Sequence, residues 1–136
     1  MLKLTHRFLP VCIGVLTLGG GLLLARPASA DTPNVTADGS TLLTINSIDV
    51  MRFRVSSGGY TPVQRWAIVE DRIIRATHEF QNVEWKLVDG EPVIYIGPRQ
   101  IMTITAADAT ANGESATDLA TTWTGNLRQA VDSMHR

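Results

Sequence analysis

Apolar and polar residues follow two different periods along the chain, after one long apolar run near its start. Residues 8–25 carry no charge and are rich in Leu and Gly. Further on, two segments place apolar residues three or four positions apart, the period of an amphipathic helix, and several short segments place them at every second position, the period of a half-buried strand. The pattern predicts a leading apolar segment followed by mixed helices and strands.

Two segments have the helical period. Thr61 can cap the first helix, and Pro62 suits its first position. The apolar stripe of that helix comprises Trp66, Val69, Ile73, Ala76 and Phe80. A second helix begins near Ser115 or Thr117, and its apolar stripe comprises Ala120, Trp123, Leu127, Val131 and Met134. Residues 106–111 predict a short helical turn before it, which Gly113 ends in a left-handed cap.

The strand signals are short and separated by turn sequences. They lie at residues 42–45, 50–55, 83–88, 93–96 and 101–105. Turn residues at 89–92 and 97–100 join the last three into an antiparallel meander. We predict an α+β fold with a small antiparallel sheet of about four strands and two amphipathic helices, in the order strand, helix, three strands, helix.

The first thirty residues predict a secretory signal peptide. Lys3 and Arg7 give a positive start, the apolar run follows, and Ala28 and Ala30 supply small residues before a cleavage site at Asp31. The apolar run of 18 residues lies near the lower limit for spanning a bilayer, so an uncleaved anchor is the alternative. We expect a periplasmic or secreted protein, or else one held at the membrane by this segment.

Beyond the signal we predict a flexible leader over residues 31–40 and a single domain over residues 41–136. The whole chain of 136 residues is enough for one domain. Without residues 1–30, nine basic and 13 acidic side chains remain, a net charge of −4, which gives no reason to expect nucleic acid as a partner. Cys12 leaves with the signal, and no later apolar run is long enough to span a membrane.

The ionisable residues form no pattern that predicts catalysis or metal binding. His78 and Glu79 are adjacent, but His135, the other histidine after the signal, lies far along the chain, and zinc needs three or four converging ligands. Glu70 and Asp71 are typical of a solvated helix face. We predict no catalytic residue, metal or cofactor. Trp66, Trp85 and Trp123 lie on predicted apolar stripes or faces, so we assign them to the core.

One loop is a candidate for binding. Ser57, Gly58, Gly59 and Tyr60 precede the first helix and match no phosphate or dinucleotide motif. A plain connection from strand to helix is the simplest interpretation, and a loop that meets a ligand or partner is the other.

Several short sequence motifs and the order of the predicted elements support a family resemblance. The motifs are Thr61-Pro62, Arg65-Trp66-Ala67, Glu70-Asp71-Arg72-Ile73, residues 101–105, Asp108-Ala109, Gly113, Asp118-Leu119-Ala120 and Trp123. Residues 41–134 resemble the periplasmic N-terminal domain of cyanobacterial small-conductance mechanosensitive channels. In that family membrane helices and a pore follow the domain, whereas this chain stops at Arg136. The resemblance implies a stand-alone relative or a remnant of a longer channel, which cannot form a pore by itself.

The resemblance implies a non-enzymatic periplasmic domain. We expect it to bind or modulate an envelope partner, with a mechanosensitive channel as one candidate. A small periplasmic ligand-binding protein is the alternative, with the Ser57–Tyr60 loop at the mouth of its site, and an enzyme is a third class.

Overall fold

A computed structural model describes residues 32–136. These residues form six strands and three helices, in the order β1 (Asn34–Val35), β2 (Thr41–Ile45), β3 (Ile48–Phe53), α1 (Pro62–Thr77), β4 (Val83–Val88), β5 (Glu91–Ile96), β6 (Arg99–Thr103), α2 (Ala106–Asn112) and α3 (Ala116–Met134). The α+β class predicted from the sequence is confirmed. Among the described residues, no helix combines the length and hydropathy needed to cross a membrane.

The strands form two antiparallel sheets instead of the single sheet of about four strands that we predicted. One has the order β1-β2-β3 and the other β4-β5-β6. The first sheet exists because β2 and β3 are joined by a two-residue turn, Asn46–Ser47, and pair with each other. The second is the predicted meander. The short helical turn predicted over residues 106–111 is the seven-residue helix α2, so the described residues form three helices instead of two.

The first sheet reaches into the segment that we predicted as a flexible leader, residues 31–40. Asn34 pairs with Leu42 and Val35 with Thr41, which adds β1 to the edge of β2. Paired structure therefore begins before residue 41.

Side-chain caps fix where the helices begin. The Thr61 hydroxyl accepts a hydrogen bond from the Gln64 N–H, and the Gln64 side-chain oxygen accepts one from the Thr61 N–H. The two bonds form a capping box, with Pro62 at the first position as predicted. Ser115 caps α3 through the Asp118 N–H. Gly113 ends α2 with a φ of 70°, the predicted left-handed cap.

The core lies between the two long helices and the two sheets. α1 packs against β2, β3, β5 and β6, and α3 packs against β3, β4 and β5, so each helix contacts both sheets. Trp66 and Trp123 are buried as predicted, and the Trp123 ring meets Phe53 edge-on at 5.9 Å between centroids. Trp85 is only partly buried against this core. The helices therefore bind the two sheets into one hydrophobic cluster.

Candidate functional site

The Ser57–Tyr60 segment forms a tight turn. The N–H of each of these two residues donates to the carbonyl oxygen of the other at 3.0 Å. Gly58 and Gly59 have φ values of 60° and 82°, a conformation that side chains with a Cβ rarely adopt and that two consecutive glycines permit. The turn leaves Tyr60 50% exposed immediately before α1.

A groove of about 500 Å³ lies between this turn, α1 and β6. Its lining combines apolar side chains (Ile68, Val69, Met102), an aromatic ring (Tyr60), polar groups (Ser57, Gln100, Thr103, Thr105), Gly58 and two arginines (Arg65, Arg72). Three of the four residues of the predicted binding loop, Ser57, Gly58 and Tyr60, thus lie along one groove, and Gly59 lies at the tip of the turn. The sequence did not indicate the wall that β6 contributes, and binding at the loop stays a prediction.

One end of the groove is cationic. A smaller concavity of about 270 Å³ is lined by Arg72, Arg75, Arg99 and Gln100, and it shares Arg72 and Gln100 with the groove. Arg75 pairs with Asp71 and Arg99 with Glu79, each at 2.9 Å. Arg72 donates to the main-chain oxygen of Ile101 at 2.9 Å, which uses one of its five N–H donors. Arg72 therefore keeps donors for an anionic or carbonyl group in the groove.

Arg65, which lines the groove, forms a buried ion pair with Asp108. Arg65 is 8% exposed and Asp108 0%. Their two nitrogen-to-oxygen distances are 2.7 and 2.8 Å, a bidentate pairing. Arg65 also donates to the Val55 carbonyl at 2.9 Å, and Asp108 accepts from the N–H and hydroxyl of Thr105. These bonds tie α1 to the segment that follows β3 and to the start of α2.

A second polar cluster lies at the start of the first sheet. Asp38 accepts hydrogen bonds from the hydroxyls of Thr36 and Ser40 and from the Ser40 N–H, and Arg54 pairs with it at 2.8 Å. The Thr36 and Ser40 bonds, more than the charge of Arg54, hold the pKa of Asp38 well below its usual range. Asp38 and Arg54 are exposed and Ser40 is buried, and the bonds of the cluster close the turn between β1 and β2.

Several ionisable residues considered from the sequence lie on the surface or at helix ends. Asp71 and Glu79 are engaged with arginines on exposed surface, and His78 and His135 cap the ends of different helices. Within residues 32–136, no group of three or more potential metal ligands comes together. The predicted cleavage-site residues Ala28, Ala30 and Asp31 lie outside the described residues.

Fold and groove together define a small α+β domain with an amphipathic, partly cationic cleft. Residues 34–134 match a family model described as a domain of unknown function, DUF8459. The chain belongs to that family. No curated protein and no solved structure matches this chain.

Proposed function

We propose that this domain is a non-enzymatic binding module of the cell envelope and that the groove beside the Ser57–Tyr60 turn receives its partner. The observation that carries the proposal is the composition of the groove. An exposed tyrosine, apolar side chains and an arginine with free donors are the groups that interfaces favour for contact. The partner we propose is a protein segment that presents an aliphatic side chain to Ile68 and Tyr60 and a carboxylate or carbonyl to Arg72.

The envelope location rests on the predicted signal peptide, and a mechanosensitive channel is the first candidate partner because of the resemblance described above. Export is tested by intact mass of the protein from periplasmic and membrane fractions. A species that begins at Asp31 is the expected result. A species that begins at Met1 in the membrane fraction would show that the segment is an anchor instead.

Photocrosslinking in the native cells tests the groove. A photoreactive residue in place of Tyr60 should give a discrete adduct with an envelope protein, whereas one in place of Gln129, an exposed residue of α3, should not. Arg72→Glu should abolish the adduct and leave the fold intact, because Arg72 is exposed. Equal adducts from both positions, or adducts that persist in Arg72→Glu, would contradict the proposal.

A small ligand is the alternative occupant, favoured by the size of the groove. A volume of about 500 Å³ is in the range of small-molecule sites, and the arginine end would select an anion. A saturable rise in Tm with an anionic metabolite, lost in Arg72→Glu and kept in Gln129→Glu, would support this alternative. Such a result without a protein adduct would replace the partner proposal.

A further inference from the structure

The outer edge of β4 carries a second surface, independent of the groove. β4 lies at one side of its sheet, next to β5 alone. Asp89 and Gly90 form a two-residue turn, so Val88 and Glu91 are the hydrogen-bonded pair that closes the hairpin. Hydrogen-bonded and non-hydrogen-bonded pairs alternate from there.

This alternation fixes which groups of β4 face outward. Glu84 and Lys86 bond to β5, and Val83, Trp85 and Leu87 direct their N–H and C=O groups to the open edge. Two observations agree. Leu87 lies opposite Pro92, which has no N–H to give, and Arg128 reaches the Val83 carbonyl oxygen at 2.8 Å.

The side chains of β4 are complementary to a second copy of the same strand. In an antiparallel pair centred on Trp85, Trp85 lies opposite Trp85 and Glu84 lies opposite Lys86 twice, by symmetry. Val83 then lies opposite Leu87, which is 58% exposed in the single chain. If the twofold axis lay at Glu84 or at Lys86 instead of Trp85, that residue would lie opposite its own copy. Like charges directly opposite one another are unfavourable.

We propose that two copies of this chain associate through their β4 strands, antiparallel and centred on Trp85, to make one continuous six-stranded sheet. The main-chain groups of Trp85 and Leu87 find partners across the twofold axis. The Val83 carbonyl oxygen, which Arg128 contacts, has a second lone pair for the Leu87 N–H. Glu84 and Lys86 face each other in non-hydrogen-bonded pairs, where opposite side chains are closest.

Sedimentation equilibrium tests the dimer, with the full chain purified after whatever processing it undergoes in the cell. Lys86→Glu or Glu84→Lys alone should raise the dimer dissociation constant by about tenfold or more, because each places like charges opposite one another twice. The double exchange Glu84→Lys with Lys86→Glu should restore the original dissociation constant, since residues 84 and 86 of the two copies again carry charges of opposite sign. Arg75→Glu, an equal change of charge on exposed α1 surface, should leave it unchanged.

A monomer at every concentration would overturn the proposal, and so would a dimer that the single variants do not weaken or that the double exchange does not restore. Crosslinking checks the register. In a Cys12→Ser background, a mixture of Glu84→Cys and Lys86→Cys chains should form disulfides faster than either chain alone, because residues 84 and 86 face each other at disulfide distance. Equal rates in the mixture and the separate chains would reject the register.

Discussion

The pairing of Arg65 with Asp108 joins segments that are 43 residues apart in sequence. Both side chains are buried. Each forms hydrogen bonds with the other and with neighbouring main-chain or hydroxyl groups. A charge removed from water in this way is tolerated only while its partner is present. The pair therefore makes the junction of α1, α2 and the segment that follows β3 sensitive to the loss of either member.

Arg65→Met keeps much of the side-chain volume and leaves Asp108 buried without its cation. We expect the free energy of unfolding to fall by about 3–5 kcal/mol, measured by urea denaturation. The matched control on the same helix is Arg75→Met, which breaks the exposed pair with Asp71 and should cost less than about 1 kcal/mol. Equal losses in the two variants would show that burial of the Arg65 pair has no special effect.

Ser47 is a position where glycine should stabilise the fold. Asn46 and Ser47 form the turn between β2 and β3 with φ values of 48° and 65°, a conformation that costs energy when a Cβ is present. Ser47→Gly should raise the free energy of unfolding by about 0.5–1 kcal/mol, seen as a higher urea midpoint.

The turn between β4 and β5 provides the reverse control. Gly90 has a φ of 83°, and a Cβ added there would meet nothing within 4 Å, so Gly90→Ser tests conformation without a clash. We expect it to lower the midpoint. A lower midpoint in Ser47→Gly would mean that the Ser47 side chain stabilises the fold by more than its strained backbone conformation destabilises it.

Among the strands, β1 depends on the cluster around Asp38. Hydrogen bonds from Thr36 and Ser40 lower the pKa of Asp38 in the folded chain. A carboxyl whose folded pKa lies below its unfolded value of about 3.9 stabilises the fold above that value, and the contribution is lost as the pH falls toward the folded pKa. The attachment of β1 should therefore weaken in acid.

Asp38→Asn should reproduce that weakening at neutral pH. We expect faster amide hydrogen exchange at Thr36 and Ser40, whose N–H groups are bonded within this turn, in the variant than in the wild-type chain. The difference between the two proteins should shrink as the pH falls below about 4, because the Asp38 carboxyl of the opened wild-type chain then takes up a proton, which reduces the preference of its charge for the closed turn. A difference that is independent of pH would assign the effect to side-chain shape instead of charge.

Elements with local signals could be predicted from the sequence, and those that depend on distant partners could not. α1, α3 and the β4–β6 meander follow from apolar spacing and turn residues. The β2–β3 hairpin was missed because Asn46–Ser47 lacks the glycine that usually marks such a turn. The wall of the groove on β6 and the partner of Arg65 were missed because both depend on how α1 packs, which spacing does not specify.

The sharing of both long helices by the two sheets has a consequence for the domain as a whole. Leu127 of α3 is fully buried, and α3 contacts strands of both sheets. Leu127→Ala leaves a cavity in this shared core and should cost about 2–5 kcal/mol. Because the core is shared, the two sheets should lose that stability together, in a single transition.

Two tryptophans can report on the two sheets separately. Trp123 contacts Phe53 of β3, and Trp85 lies on β4. Chains that keep only one of them, with the other tryptophans replaced by Phe, should give urea curves by fluorescence that agree with circular dichroism of the same chain, before and after Leu127→Ala. The shift caused by Leu127→Ala should be equal with both probes, since α3 stabilises both sheets. A shift confined to one probe, or two separate transitions, would show that the sheets fold as independent units and that the contacts of α3 with one of them add little stability.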